Sequence, residues 1–356
     1  MALLIYGANG YTGELVARRA TREGVPAVLA GRNGDQLRGL AAELEREHRT
    51  FVVDDPAAVD RALAGVTVVL NCAGPFSRTA GPLVDGCLRA RAHYLDITGE
   101  IAVFEALARR DAAARAAGVT LLPGTGFDVV PSDCLAAHVA RRLPSATHLA
   151  LAFSAGTRMS RGTALTAIEN APAGGLVRRA GALVRVPSGW QTRRIDFGDG
   201  AQPAITIPWG DVATAYHTTG IPNIEVYVAL PFAVRAGMRA ARVLGALLAT
   251  GVVQRALAAG VRRRPPGPTA DERARRRSRL WAEARDASGQ VVRARLVTPE
   301  SYELTSITAL DLAARALRGE LPPGYQTPAR ACGADYILGV AGVSREDVPA
   351  QGSAGR

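Results

Sequence analysis

The chain opens on an uninterrupted apolar run, Leu3, Leu4, Ile5 and Tyr6, which predicts a short strand buried on both faces. From residue 14 the period changes, and Leu15, Val16 and Ala20 mark one side of a helix over 14–23. The alternation then repeats. Apolar runs at 27–31, 50–53, 66–70, 93–97 and 119–122 predict further strands. Helical stripes over 36–47 (Leu37, Leu40, Ala41, Leu44), 82–92, 101–117 and 131–143 predict the crossovers between them. Strands that alternate with helices and end in glycine or small polar residues predict an α/β fold with a doubly wound parallel sheet.

Beyond residue 143 the pattern breaks into shorter pieces. Strands are expected at 148–154, 182–186, 193–197, 204–207, 212–217 and 224–230, with a hairpin turning at Ala287-Ser288-Gly289 between alternating flanks at 281–284 and 291–297. With helices at 160–170 and 302–317 and a last strand at 335–340, this predicts a second, mixed α+β domain around a largely antiparallel sheet. The expected organisation is a domain at 1–130, a second at 131–345, and a flexible tail at 346–356. Residues 232–261 read as one long alanine- and leucine-rich helix with Arg235, Arg239, Arg242 and Arg255, whose apolar part is too short to span a bilayer. A buried helix, a homodimer surface and an amphipathic face on lipid or an acyl chain are the three readings it allows.

The chemistry begins where the first strand meets the first helix, at Gly7-Ala8-Asn9-Gly10-Tyr11-Thr12-Gly13. Gly7 permits the tight turn, Gly10 lets a pyrophosphate approach the backbone, and Gly13 lets helix and strand pack closely. The amides of Tyr11, Thr12 and Gly13 then face phosphate at the positive end of the helix. A plain strand-turn-helix crossover also uses glycine, so a second signal is needed. It comes after the strand at 27–31, where an acidic residue would hold a ribose hydroxyl and Arg32 stands instead, followed by Asn33. A guanidinium there suits the 2′-phosphate of NADP through charge-assisted hydrogen bonds, so NADP(H) is the expected cofactor.

The other strand ends supply the remaining candidates. Asp54 is either a partner for the adenine amino group or a helix cap ahead of Pro56. Cys72, Ala73, Gly74, Pro75 and Phe76 form a low, rigid loop against which a nicotinamide ring can lie, and Cys72 reads as a small buried thiol, since no base is visible beside it. Asp96 and Glu100 are either capping carboxylates or polar groups above the nicotinamide. Tyr94, Asp96, Glu100 and Asp128 are the candidate proton donors by position.

Composition narrows this further. The formal charge of +11 comes entirely from arginine, and the absence of lysine excludes Schiff-base chemistry. The arginines are not interleaved with aromatics and no nucleic-acid motif occurs, which points away from nucleic acid and toward an acidic protein or a membrane face as partner. Cys72, Cys87, Cys134 and Cys332 match no disulfide framework or metal spacing. No signal-peptide pattern precedes the first strand, so a cytoplasmic or membrane-peripheral location is expected.

The segments GANGYTGELVAR, AGRN, NCAGPFSRTAGPLV, HYLDITGE and GTGFDVVPSD, in this order and spacing, resemble the saccharopine dehydrogenase-like oxidoreductases, in particular the bacterial branch that includes trans-acting enoyl reductases. SRGTALTAIE, LWAEARDASGQVVRARLVTPESYELT and GYQTPARACGADYIL fit the same branch. Asn9 stands where such proteins often carry threonine or serine, which leaves the phosphate turn intact. The resemblance implies a Rossmann domain joined to a mixed α+β domain and an NADPH-linked reductase. Its expected reaction is hydride transfer to an electron-poor double bond, foremost the C=C of an enoyl thioester, free or presented by an acidic carrier protein. Imine or ketone reduction of the saccharopine type is the alternative, and an NADPH-binding or lipid-surface protein without turnover is the alternative of another class.

Overall fold

The computed structural model describes residues 2–155, 159–170, 174–232, 234–238 and 250–349. They divide into two compact units: residues 1–130 with 302–332, and residues 131–301 with 333–356. Residues 302–332, which sequence placed in the second segment, therefore belong with the first.

In the first unit, β1 (Ala2–Tyr6), β2 (Ala27–Gly31), β3 (His48–Thr50), β4 (Val66–Asn71), β5 (His93–Asp96) and β6 (Thr120–Leu122) alternate with α1 (Tyr11–Arg22), α2 (Gly34–Glu43), α3 (Pro56–Ala62), α4 (Phe76–Ala90), α5 (Ile101–Ala108) and α6 (Asp111–Ala117). The strands lie in the order β6-β5-β4-β1-β2-β3, every neighbouring pair parallel. This is the expected Rossmann-type sheet, buried on both faces: Leu3, Leu4, Ile5, Val68, Val69 and Leu70 are wholly inaccessible. Strand order reverses at β1, between β4 and β2, so the crevice at the carboxyl ends of these strands is the natural ligand site.

Three local differences from the sequence reading have physical causes. Helix α4 starts at Phe76 rather than at Pro82, because the Glu100 carboxylate accepts from the amides of Phe76 (2.7 Å) and Ser77 (3.0 Å) and caps the helix from a distant part of the chain. The stripe over 101–117 is broken at Arg109 and Arg110 into α5 and α6. The third strand ends at Thr50, and the helix cap ahead of Pro56 is Asp55, whose side chain accepts from Ala57 and Ala58 amides, rather than Asp54.

The second unit begins with α7 (Val130–Arg142), whose first residue still belongs to the first unit, and β7 (Ala146–Ala155). Helix α8 (Arg161–Asn170) is followed by β8 (Gly175–Arg179), β9 (Ala182–Val186), β10 (Thr192–Asp196) and β11 (Ala201–Thr206). Then come α9 (Asp211–Thr219), β12 (Asn223–Ala229), α10 (Gly251–Arg262), α11 (Ala270–Arg275), β13 (Arg277–Asp286) and β14 (Val291–Pro299). Helix α12 (Ser301–Leu317), β15 (Gly324–Tyr325) and α13 (Pro328–Cys332) follow, and β15 adds a seventh strand to the first sheet beside β6. The last strand is β16 (Ser344–Val348).

The second sheet runs β10-β11-β12-β7-β13-β14-β16, antiparallel except for β12 on β7, with β8 and β9 attached beside β12. Its hairpin at 286–290 turns where sequence placed it. Strand β10 lies at one end of the order, yet its side chains reach β13 and β14: Arg193 pairs with Glu283 (2.6 Å) and Arg295 with Asp196 (2.6 Å). The sheet therefore rolls over a small core of Ala152, Ile195, Phe197, Tyr227 and Trp281, and these ion pairs clip it shut.

Residues 212–217, expected as a strand, form α9 instead. Gly210 and Asp211 start the helix, Gly220 in the left-handed region (φ +72°) ends it, and Ala213 and Ala215 are buried along with Val212. The run at 335–340 is a 3-10 turn, Tyr336–Gly339, that tucks Ile337 inward, and the chain reaches the sheet only at β16, which takes in residues assigned to the tail. Of the long helix expected at 232–261, residues 251–262 are helical as α10, while 233 and 239–249 lie outside the described residues.

Candidate functional site

The carboxyl ends of β1, β2, β4, β5 and β6 bring together nearly every residue singled out from sequence, all within the first unit. Gly7 has φ +81°, and a methyl added there would sit 2.8 Å from Ala73 Cβ and 2.9 Å from Ala73 N. A methyl on Gly13 would sit 2.2 Å from the Gly7 carbonyl oxygen. These two glycines are required by packing. Gly10 is different: it is exposed and extended (φ −82°, ψ 161°), and an added methyl would meet only the Gly7 oxygen at 3.2 Å. Open space in front of Gly10, ahead of first-turn amides that have no carbonyl one turn back, leaves room for a phosphate oxygen.

Asn9 ties this turn to the next one, since its Nδ2 donates to Gln36 Oε1 (3.0 Å) and its Oδ1 lies where a side chain on Gly31 would stand. Arg32 follows directly and is exposed, with no salt bridge among the described residues. Burial raises the Tyr6 hydroxyl pKa, an effect that the Arg32 charge opposes and the Asp54 charge reinforces, which places both charges near the β1 carboxyl end. Asn33 is exposed, and its Oδ1 accepts from the Gln36 amide and caps α2. Asp54 is exposed.

The next loop is pinned from below. Asn71 Oδ1 accepts from the Ala73 amide (3.0 Å), Thr79 Oγ1 donates to the Ala73 carbonyl (2.7 Å), and Asn71 Nδ2 donates to Thr79 Oγ1 and Tyr94 Oη. Gly74 is exposed, and Ala73, Pro75 and Phe76 are half-buried. Burial pushes the Cys72 thiol up to about 12, so it carries no thiolate near neutral pH.

Tyr94 and Asp96 are wholly buried. Tyr94 Oη donates to Asp96 Oδ2 (2.9 Å), and Asp96 Oδ1 accepts from the amides of Thr98 (3.0 Å) and Gly124 (2.9 Å). Burial raises the Asp96 carboxyl to about 6, against the lowering effect of these three bonds. The network joins the ends of β4, β5 and β6 into one rigid platform. Glu100 serves α4 as described above.

The Asp128 carboxyl lies against Gly99, where an added methyl would come 2.7 Å from Oδ2, and burial pushes its pKa up to about 7. The residue still keeps partial access to solvent. A carboxyl raised toward neutrality on a half-buried residue at the carboxyl edge of the sheet is a candidate proton donor.

Sequence reasoning missed the contribution of α12. Arg19 pairs with Glu303 and donates to Ser306 Oγ (3.0 Å), Tyr302 stands edge-on to Tyr11 at 5.1 Å, and Thr305 Oγ1 accepts from the Phe127 amide (2.9 Å). These contacts bind both the phosphate turn and the Asp128 loop across more than 170 residues of chain, a separation that no local pattern reveals.

Residues 3–122 match the saccharopine dehydrogenase NADP binding domain. The match lies within the first unit. Its cofactor is NADP(H), and the open turn at Gly10 with the exposed Arg32 fits such a molecule. Over 151 residues the chain is 30% identical to the saccharopine dehydrogenase-like oxidoreductase of Homo sapiens, a match covering 37% of this chain and 35% of that protein. Over 139 residues it is 31% identical to the trans-acting enoyl reductase of Mycobacterium tuberculosis (strain ATCC 25618 / H37Rv), covering 37% and 33%. The chain thus spans about a third of the length of the relatives it matches. Apo histidine-tagged saccharopine dehydrogenase (L-Glu forming) from Saccharomyces cerevisiae superposes with a TM-score of 0.66 at 11% identity, covering 98% of this chain and 100% of that chain, and so shares the fold. Among the described residues no group of three metal-ligating side chains occurs, and no helix is long and apolar enough to cross a membrane.

Proposed function

We propose that the protein is an NADPH-dependent reductase acting on an electron-poor double bond, foremost the C=C of an enoyl thioester, with Asp128 as proton donor. When bound, NADPH supplies the hydride from its nicotinamide C4. The first-turn amides of α1 hold the pyrophosphate, Arg32 holds the 2′-phosphate, and the loop at 72–76 supports the nicotinamide. Tyr94, Asp96 and Glu100 keep that platform rigid from beneath, so they position and do not donate.

The observation that carries this reading is the open turn at Gly10 with the exposed Arg32 one strand away, and Asp128, whose carboxyl burial raises toward neutrality, stands at the same carboxyl edge of the sheet. The likeness to a protein named trans-acting enoyl reductase supports the choice of bond. An acidic carrier presenting the acyl chain agrees with the formal charge of +11.

The test is NADPH oxidation, followed by absorbance, with a panel of enoyl thioesters, imines and ketones. The proposal expects turnover with the enoyl thioesters. Turnover restricted to imines or ketones would redirect it to the saccharopine type of reaction. Saturable NADPH binding with no oxidation by any of them would make the protein a nucleotide sensor.

A further inference from the structure

Between Glu225 and Asp271 the sequence holds seven arginines and no acidic residue, so this stretch carries a formal charge of +7 against +11 for the whole chain. Helix α10 lies within it. Its inner side includes Val261, 5% exposed, and it packs against α8, whose first turn is tied to the chain beyond α10 by the Arg161 amide donating to the Pro266 carbonyl (2.9 Å). The opposite side is a stripe of Val252, Arg255, Ala256, Ala259 and Arg263 at helical spacing, all exposed, with Val252 70% accessible.

The outward side of an ordinary surface helix mixes charges of both signs with neutral polar groups. This stripe contains only apolar side chains and arginine. Arg255, Arg262, Arg263 and Arg264 are exposed and form no salt bridge among the described residues. Phe232, 75% exposed, and Val234, 47% exposed, belong to the same acid-free stretch. Apolar side chains flanked by unpaired guanidinium groups match the boundary between acyl chains and anionic headgroups, where the former are buried and the latter reach phosphate.

We propose that the outer face of α10 rests on a membrane surface rich in anionic lipid, with Val252, Ala256 and Ala259 at the acyl boundary and Arg255 and Arg262–Arg264 on the headgroup phosphates. An acidic protein groove would supply the charge but gives no reason for an exposed Val252 beside alanines, and a second copy of this stripe would bring arginine against arginine.

Co-sedimentation of the full chain with vesicles tests this, using phosphatidylcholine containing about 30% phosphatidylglycerol against phosphatidylcholine alone. Binding is expected to the anionic vesicles only, to weaken with salt, and to fall about tenfold or more in the doubly substituted Arg255→Glu, Arg263→Glu chain. That chain is to keep its circular dichroism and its NADPH affinity. As an independent reporter, Val252→Trp should show a blue-shifted emission on adding anionic vesicles. No sedimentation, equal binding to both vesicles, or binding untouched by the arginine substitutions would overturn the proposal. A dimer in light scattering that the same substitutions dissociate would also overturn it, in favour of a second copy.

Discussion

Gly10 and Gly13 make opposite demands on a methyl group, and the pair separates cofactor binding from folding. At Gly13 the added carbon would stand 2.2 Å from the Gly7 oxygen, so α1 must retreat from the turn by about 1 Å to reach van der Waals contact. Overpacking of that kind costs about 1–3 kcal/mol. At roughly 2–4 °C per kcal/mol, Gly13→Ala should lower Tm by roughly 2–12 °C and weaken NADPH binding as well. At Gly10 the only neighbour is the Gly7 oxygen at 3.2 Å, and the backbone angles suit any residue. Gly10→Ala should leave Tm within about 2 °C of the parent, the usual range for a surface change. The methyl nevertheless occupies the space a phosphate oxygen needs, and the same overpacking cost then falls on the complex, weakening NADPH binding by roughly 5- to 150-fold. Differential scanning fluorimetry and isothermal titration calorimetry read the two effects. A Gly10→Ala protein that binds NADPH as the parent does would refute the assignment of this turn as the phosphate cradle.

Further expectations follow from other residues. Arg32→Asp removes the charge-assisted bonds proposed for the 2′-phosphate and should weaken NADPH by roughly 10- to 150-fold while NADH holds or improves, as measured by titration with each; an unchanged ratio would refute the role of Arg32. With Asp128 at about 7, about half the molecules carry its proton at pH 7, against roughly one in 1,600 for an ordinary carboxyl near 3.8. The reductase rate should therefore fall as pH rises through about 7, and Asp128→Asn should lower kcat about 10²- to 10⁴-fold, abolish that alkaline limb and leave NADPH affinity intact. Glu283 is shielded from water, which disfavours its charge, but Arg193 and Arg293 outweigh this and hold its carboxyl below the usual range. Its contribution to stability is thus present above the ordinary glutamate pKa and is lost as pH falls through the lower folded value. Glu283→Gln should destabilise by about 1–3 kcal/mol at pH 7, with the gap in Tm to the parent narrowing at acid pH.

Much of the first unit was legible in the residues because its signals are local. The apolar runs at 3–6, 27–31, 66–70, 93–96 and 120–122 are inner parallel strands, and Gly7 and Gly13 occur where a turn and a helix contact each need a missing side chain. What escaped were features set by distant partners. The start of α4 depends on Glu100, α9 forms between Gly210 and Gly220 where a short strand was expected, and α12 returns to hold Tyr11 and Phe127 from the far end of the chain. The candidate site shows the same division. Its candidate cofactor residues could be named from spacing, but four acids and phenols looked equivalent as proton donors. Their environments separate them: Tyr94 and Asp96 are sealed into one network, Glu100 caps a helix, and Asp128 alone of the four combines a raised pKa near neutrality with access to solvent.

The central claim is that the opening turn and Arg32 together grip NADPH. Calorimetric titration of the unmodified chain with NADPH and, separately, NADH tests it most directly. Saturable heat with both, and a clearly lower Kd for NADPH, is the predicted result. Absence of saturable heat with either dinucleotide, or equal affinity for the two, would contradict it.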